Sequence, residues 1–129
     1  MSNSIHQELV FETTPARVYE LLTDAEQFSK MSAGAPAEID PKAGGAFSCF
    51  GGMIHGRNVE CVPGERVVQA WRVKLWEAGV YSMVRFELRP EGTGTRLILD
   101  HAGFPDGQAE HLDRGWYANY WEPIRKTLT

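Results

Sequence analysis

His101 is the side chain of this 129-residue chain whose position most invites chemistry. It follows Leu97 and Leu99 in an alternating run and continues their inward phase, so its imidazole could hydrogen-bond a ligand head group or act as a general base. The competing reading is a buried neutral ring satisfied by a carbonyl or a tyrosine. Glu60 is a second acid-base candidate if its side of the chain turns inward. In the segment around it, His55, Arg57 and Val59 share one parity while Asn58 and Glu60 hold the other, and parity leaves either face open as the inner one.

Other reactive types lack the spacing that would make them a site. Cys49 and Cys61 form no CxxC pair, are too few for a disulfide framework and read as buried thiols. Together with His55 and His101 they show neither helix-type nor knuckle-type metal spacing, so no metal is expected. No G-x-S-x-G, HExxH, P-loop or GxGxxG string occurs, and Gly44-Gly45 and Gly51-Gly52 have no following helix to bind phosphate. Nucleophilic and nucleotide chemistry are thereby disfavoured, and no cofactor is expected. His6 and His111 lie at chain and helix ends and read as solvated.

Aromatic surface is the stronger signal. Four Trp, four Tyr and six Phe in so short a chain exceed what an ordinary core needs and suggest a lined cavity or groove. Strand phase turns Phe47, Trp71, Val73, Phe86, Leu97 and Leu99 toward it, and helix phase adds Trp116, Tyr117 and Tyr120. These residues apart from Leu97, together with His101, are the expected ligand-binding set, although rings at helical spacing can also be plain packing.

The elements that must hold them are legible in order. Ile5 to Phe11 alternates as a strand, and Thr13-Thr14-Pro15 starts a helix over 15–22 with a hydroxyl cap and proline in its first turn. Thr23-Asp24 can cap a second short helix carrying Phe28 and Met31. From 37 to 103, glycine and proline punctuation separates strands near 37–40, 45–50, 54–62, 66–76, 80–89 and 95–102, an antiparallel meander. Residues 108–128 repeat Leu112, Trp116, Tyr120, Ile124 and Leu128 at four-residue steps, one broad aromatic helical face. Pro123 removes a hydrogen bond to the Asn119 carbonyl, which predicts a kink or a frayed last turn.

Residues 1–129 read as a single domain, without repeats or linker-like tracts. Thirteen Lys and Arg against seventeen Asp and Glu give a net charge of −4, with the basic residues scattered singly, so nucleic acid and acidic membranes are not expected partners. No run is apolar enough to span a membrane, and the N-terminus has neither a basic nor an apolar leader region, which makes cytoplasmic the expected compartment. Tyr81 and Met83 share the outward phase of Arg85 and could form an exposed patch compatible with a homodimer.

Several strings in register carry a resemblance. Thr14 through Asp24, the Asp40 to Phe47 turn with its Gly44-Gly45, the Gly56 to Trp71 segment with Pro63, and the Gly94-Thr95 run through His101, Gly103 and Phe104, followed by Gly115-Trp116, are together similar to the Aha1 C-terminal-domain family, named after the activator of the Hsp90 ATPase. That family lies in the START-like (SRPBCC) helix-grip superfamily. The resemblance implies an α+β helix-grip fold: a curved antiparallel sheet of about seven strands wrapped around a long C-terminal helix, with two short helices after the first strand and a cavity between sheet and helix.

Function is less determined, because the superfamily includes lipid carriers, polyketide cyclases, hormone receptors and co-chaperone domains. The leading expectation is a binding module, not a catalyst, that holds a small, largely apolar molecule with His101 and Tyr120 as polar anchors. A second is a cyclase- or dehydratase-like enzyme using His101, with Glu60, as acid and base. A third is a co-chaperone-like domain with an Hsp90-type partner; the co-chaperone's additional N-terminal domain has no counterpart in these residues.

Overall fold

Capping chemistry sets the first turns of a computed structural model that describes residues 3–129. Strand β1 (Ser4–Phe11) buries alternate residues, and Thr14 beyond it accepts the Arg17 backbone N–H on its hydroxyl at 3.2 Å and opens α1 (Pro15–Thr23). Asp24 ends α1 and caps α2 (Ala25–Met31) through the Gln27 N–H at 3.0 Å. Val18, Leu21 and Leu22 of α1, with Phe28 and Met31 of α2, are the buried sides of this pair.

Six further strands follow: β2 (Glu38–Ile39), β3 (Ala46–Cys49), β4 (Ile54–Val62), β5 (Arg66–Val73), β6 (Ser82–Glu91) and β7 (Gly94–Ala102). They form one antiparallel sheet in the order β1-β7-β6-β5-β4-β3-β2. This is the helix-grip arrangement the resemblance implies, with Val67, Val84, Phe86, Leu97 and Leu99 almost fully buried on its inner face.

Strands β2, β3 and β5 are shorter than their composition predicts. β3 stops at Cys49 because Phe50, Gly51 and Gly52 all take positive φ (54°, 67° and 94°), which turns the chain out of the sheet. β5 stops at Val73 because Arg72 gathers the carbonyls of Lys74, Trp76, Glu77 and Val80 around its guanidinium and folds residues 74–81 into a loop. Gly56 lies opposite Trp71 in the ladder, where an added Cβ would sit 1.8 Å from the Ala70 carbonyl oxygen.

The C-terminal helix runs as α3 (Ala109–Trp116), a π-helical turn (Tyr117–Trp121) and α4 (Glu122–Leu128). Pro123 therefore does not fray the helix end, which runs on to Leu128; the irregularity lies in the π turn ahead of the proline. The wide turn lies directly before it and takes up the missing N–H and the bulk of the ring. Pins to the sheet hold the helix: Trp116 Nε1 donates to His101 Nδ1 at 3.1 Å and Trp121 Nε1 to Gln7 Oε1 at 2.6 Å, while Gln7 Nε2 donates to the Asp113 carbonyl and carboxylate.

Gly56→Ala should therefore lower stability by at least about 1–3 kcal/mol, the range for forced overpacking. Gly115→Ala, on the helix with its nearest atom 3.7 Å away, should raise it by about 0.5–1 kcal/mol. Urea unfolding midpoints of the two variants check both signs.

Candidate functional site

His101 lies within a line of hydrogen bonds that runs through the core. The Ser82 hydroxyl donates to the Trp71 carbonyl at 3.0 Å, so the 2.7 Å contact between Ser82 Oγ and His101 Nε2 must be donated by the imidazole. His101 Nδ1 is then the acceptor for Trp116 Nε1–H. The neutral Nε2–H tautomer satisfies every member. Trp71, Trp116 and Phe104 enclose the ring edgewise at 4.8, 5.6 and 5.1 Å between centroids, and it is fully buried. Burial without a carboxylate partner brings its pKa down to about 3. A ring with both nitrogens engaged has none to offer a ligand, and the sequence-based roles of polar anchor and general base find no free atom here.

Glu60 is not its partner. A bulge between Asn58 and Glu60 reverses the inward parity of β4: Ile54, Gly56 and Asn58 face the inner side, while Glu60, paired with Val68, faces out. There it binds Arg66 Nε at 2.6 Å, which holds its carboxyl below the usual value. His55 falls on the outer parity, with Nδ1 3.3 Å from the Gly52 carbonyl. Cys49 is buried, which pushes its thiol up to about 12. Among the described residues no three His, Cys, Asp or Glu gather as a metal site.

The expected cavity between sheet and helix is almost filled by rings. A void of about 10 Å³ remains beside Phe47, Phe86, Cys49 and Tyr120, room for about one water. Open space lies at the end of the sheet instead, in a groove of about 300 Å³ between α3, Asn119 and Tyr120 of the π turn, and the β4–β5 end. Of the expected ligand residues, Trp71, Val73, Trp116 and Tyr120 line this groove. Phe47 and Phe86 line the small void, Leu97, Leu99 and His101 are core, and Tyr117 points outward, 43% exposed. The π turn is the reason: it shifts the inward set to Trp116, Tyr120, Trp121 and Ile124 and leaves Tyr117 outside.

Sequence reasoning missed the groove's other walls, Phe50, Met53, Leu75 and Leu112. Phe50 holds φ 54°, a left-handed conformation that costs about 1–3 kcal/mol for a bulky residue. Edge contacts to Phe28 at 5.4 Å and Tyr120 at 5.5 Å keep it there. Arg72, by folding the 74–81 loop, sets Trp76 edgewise on Trp71 at 5.9 Å and leaves Leu75 81% exposed on the rim. A phenylalanine followed by Gly51-Gly52 was the one local signal of the turn. The groove's walls carry no carboxylate, amine, guanidinium or thiol; their polar side chains, apart from the indoles, are His111, Asn119 and Tyr120.

Comparison with known proteins supplies the context. The family model described as activator of Hsp90 ATPase homolog 1-like protein matches residues 12–129. Activator of 90 kDa heat shock protein ATPase homolog 2 of Mus musculus is 30% identical over 125 residues, 97% of this chain and 38% of that protein. The chain spans little more than a third of the length of the curated relatives it matches. The crystal structure of an HSP90 activator from Plasmodium falciparum superposes with a TM-score of 0.92 at 29% identity, covering 97% of this chain and 95% of that one. The Aha1 dimer of Colwellia psychrerythraea, at 15% identity, TM-score 0.81 and coverage of 97% and 95%, shares the fold.

Because His101 is lowered from an unfolded value of 6.5 to about 3, the unfolded chain binds the extra proton between those limits. The stability tied to its neutral form is fully present above pH 6.5 and lost as pH falls toward 3, at up to about 1.4 kcal/mol per pH unit. His6 works oppositely: hydrogen bonds to Asp100 and then Glu8 raise it, so His6→Gln is the cleaner background. In that background urea midpoints should fall from pH 7 to pH 5, and His101→Gln should flatten the slope.

Proposed function

The chain belongs to the family of activator of Hsp90 ATPase homolog 1-like proteins, and from that membership we propose that it acts by binding, its partner being an Hsp90-type ATPase whose turnover it stimulates. The observation that carries this reading is the likeness to the Plasmodium falciparum HSP90 activator, which extends over nearly the whole of both chains. Site chemistry supports binding over catalysis. His101 has no free nitrogen, Glu60 lies on the opposite face of the sheet, and the groove walls hold no carboxylate, lysine or thiol to work beside their one imidazole, His111. Among the described residues no helix is long and apolar enough to cross a membrane. Self-association through Tyr81 and Met83, 48% and 45% exposed, is compatible with this role.

The purified protein, titrated into a purified Hsp90-type ATPase, should raise ATP turnover saturably and co-elute with it on size exclusion. Unchanged turnover together with separate elution removes the reading.

The groove favours a second reading, the binding of a small, largely apolar molecule. Its volume of about 300 Å³ is at the small end of ligand pockets, and its lining is mostly hydrocarbon and aromatic. Native mass spectrometry of freshly purified protein should show a discrete added mass that disappears on denaturation. If the native and denatured masses agree and no apolar probe binds, this second reading fails.

A further inference from the structure

Strand β1 closes one side of the sheet, and among the described residues no strand lies beyond it. In its ladder with β7 the Gly103 N–H reaches the Asn3 carbonyl at 2.9 Å, which fixes the parity. Ile5, Gln7, Leu9 and Phe11 point their N–H and C=O groups at β7, while Ser4, His6, Glu8 and Val10 point theirs away from it. The Val10 carbonyl bears this out, since Arg125 Nη1 of α4 reaches it from outside the ladder at 3.0 Å. That guanidinium closes the edge at Val10 and leaves the stretch from His6 to Glu8. Long edges are ordinarily blunted by lysine, proline or a bulge. The sheet's other edge, β2, is only two residues long, whereas β1 runs for eight with none of these devices and an unbroken register.

Charge selects how such an edge can meet a copy of itself. Antiparallel pairing forms bonds only where two outward-pointing residues stand opposite each other. A two-fold at His6 sets imidazole against imidazole, and one at Glu8 sets carboxylate against carboxylate, both unfavourable. A two-fold at Gln7 instead sets His6 of each copy opposite Glu8 of the other, and both side chains are exposed.

We propose that two copies of this chain pair antiparallel along the β1 edge about a two-fold at Gln7, each His6 and Glu8 exchanging backbone hydrogen bonds with Glu8 and His6 of the second copy. Both imidazole nitrogens are held within their own chain, by Asp100 at 2.7 Å and Glu8 at 2.8 Å, so the second copy's carboxylate meets a charge and needs no free N–H. With His6 protonated, His6, Arg85 and Arg96 balance Glu8, Asp100 and Glu91 in the cluster around it, and two copies meet without an excess of like charge. On the helix, Asp113 and Trp121 both bind Gln7, and Tyr117, four residues from each, is the exposed ring of that flank. A second copy centred on Gln7 covers it. This interface is separate from the Tyr81 and Met83 patch.

Sedimentation velocity over a concentration series should show a monomer–dimer equilibrium, and NMR hydrogen exchange should find the His6 and Glu8 amides slowing as concentration rises. Glu8→Pro deletes an N–H that points away from the ladder, a change edge strands tolerate, and should leave a folded monomer. His6→Glu and Glu8→Lys, each alone, set like charges opposite and should weaken the dimer on the order of 10-fold. Mixed in equal amounts, the two variants should pair again. A monomer at every concentration overturns the proposal. So does a dimer that survives Glu8→Pro but is lost in Met83→Glu, which moves the interface to the outer face. Should Glu8→Pro fail to fold, the amides of the unmodified protein decide: a dimer in which His6 and Glu8 exchange as fast as in the monomer rejects the edge.

Discussion

Trp116 donates its indole N–H to His101 inside an apolar shell, and that contact decides where the C-terminal helix lies on the sheet. The imidazole passes its own proton to Ser82, and Ser82 passes one to the Trp71 carbonyl, so helix, β7, β6 and β5 share a single line of bonds. Each bond contributes only about 1 kcal/mol net, but a break leaves a buried group unpaired at greater cost. The line therefore acts on specificity: hydrophobic burial presses the helix onto the sheet, and these bonds choose its rotation. Trp121, five residues on, binds Gln7 of β1. The π turn, bonded five residues apart, brings Trp116 and Trp121 onto one side, where they stack at 5.7 Å and 17°.

Once both indoles are seated, the volume between sheet and helix belongs to rings. Trp116, Tyr120 and Trp121 meet Phe86, Phe28 and Phe11 there, and almost no void survives. Space is displaced to the end of the sheet, where the Phe50 turn and the Arg72 loop hold walls apart. Arg72 is a buried cation held by four carbonyl dipoles and by the face of Tyr81, 5.7 Å from the ring centroid, an arrangement that fixes loop shape.

The opposite face of the sheet contrasts with the groove. Its charges are paired among themselves, His6 with Glu8 and Asp100, Asp100 with Arg85, Arg96 with Glu8 and Glu91, Arg66 with Glu60 and Glu87. Exposed pairs of this kind contribute little each, and they leave that face with few unanswered groups. The unanswered chemistry is apolar: the groove rim at Met53 and Leu75, and Tyr81 with Met83 on the outer face. A binding function fits a surface so divided.

The sequence by itself determined the elements and their order. Thr14 and Asp24 cap helices through bonds to residues three positions on, and Leu97, Leu99 and His101 alternate inward, because these relations span only a few residues. The aromatic helical face was legible for the same reason, and so was the inward phase of Trp71, Trp116 and Tyr120. What only the tertiary structure decided were relations between distant segments. The bulge after Asn58 turned Glu60 outward, the π turn put Tyr117 in solvent, Arg72 ended β5 early through carbonyls up to eight residues away, and Trp116 took the one nitrogen His101 had left. Periodicity reports which face of an element is apolar. Whether facing rings close a cavity, and which acceptor each indole finds, depends on how those faces meet.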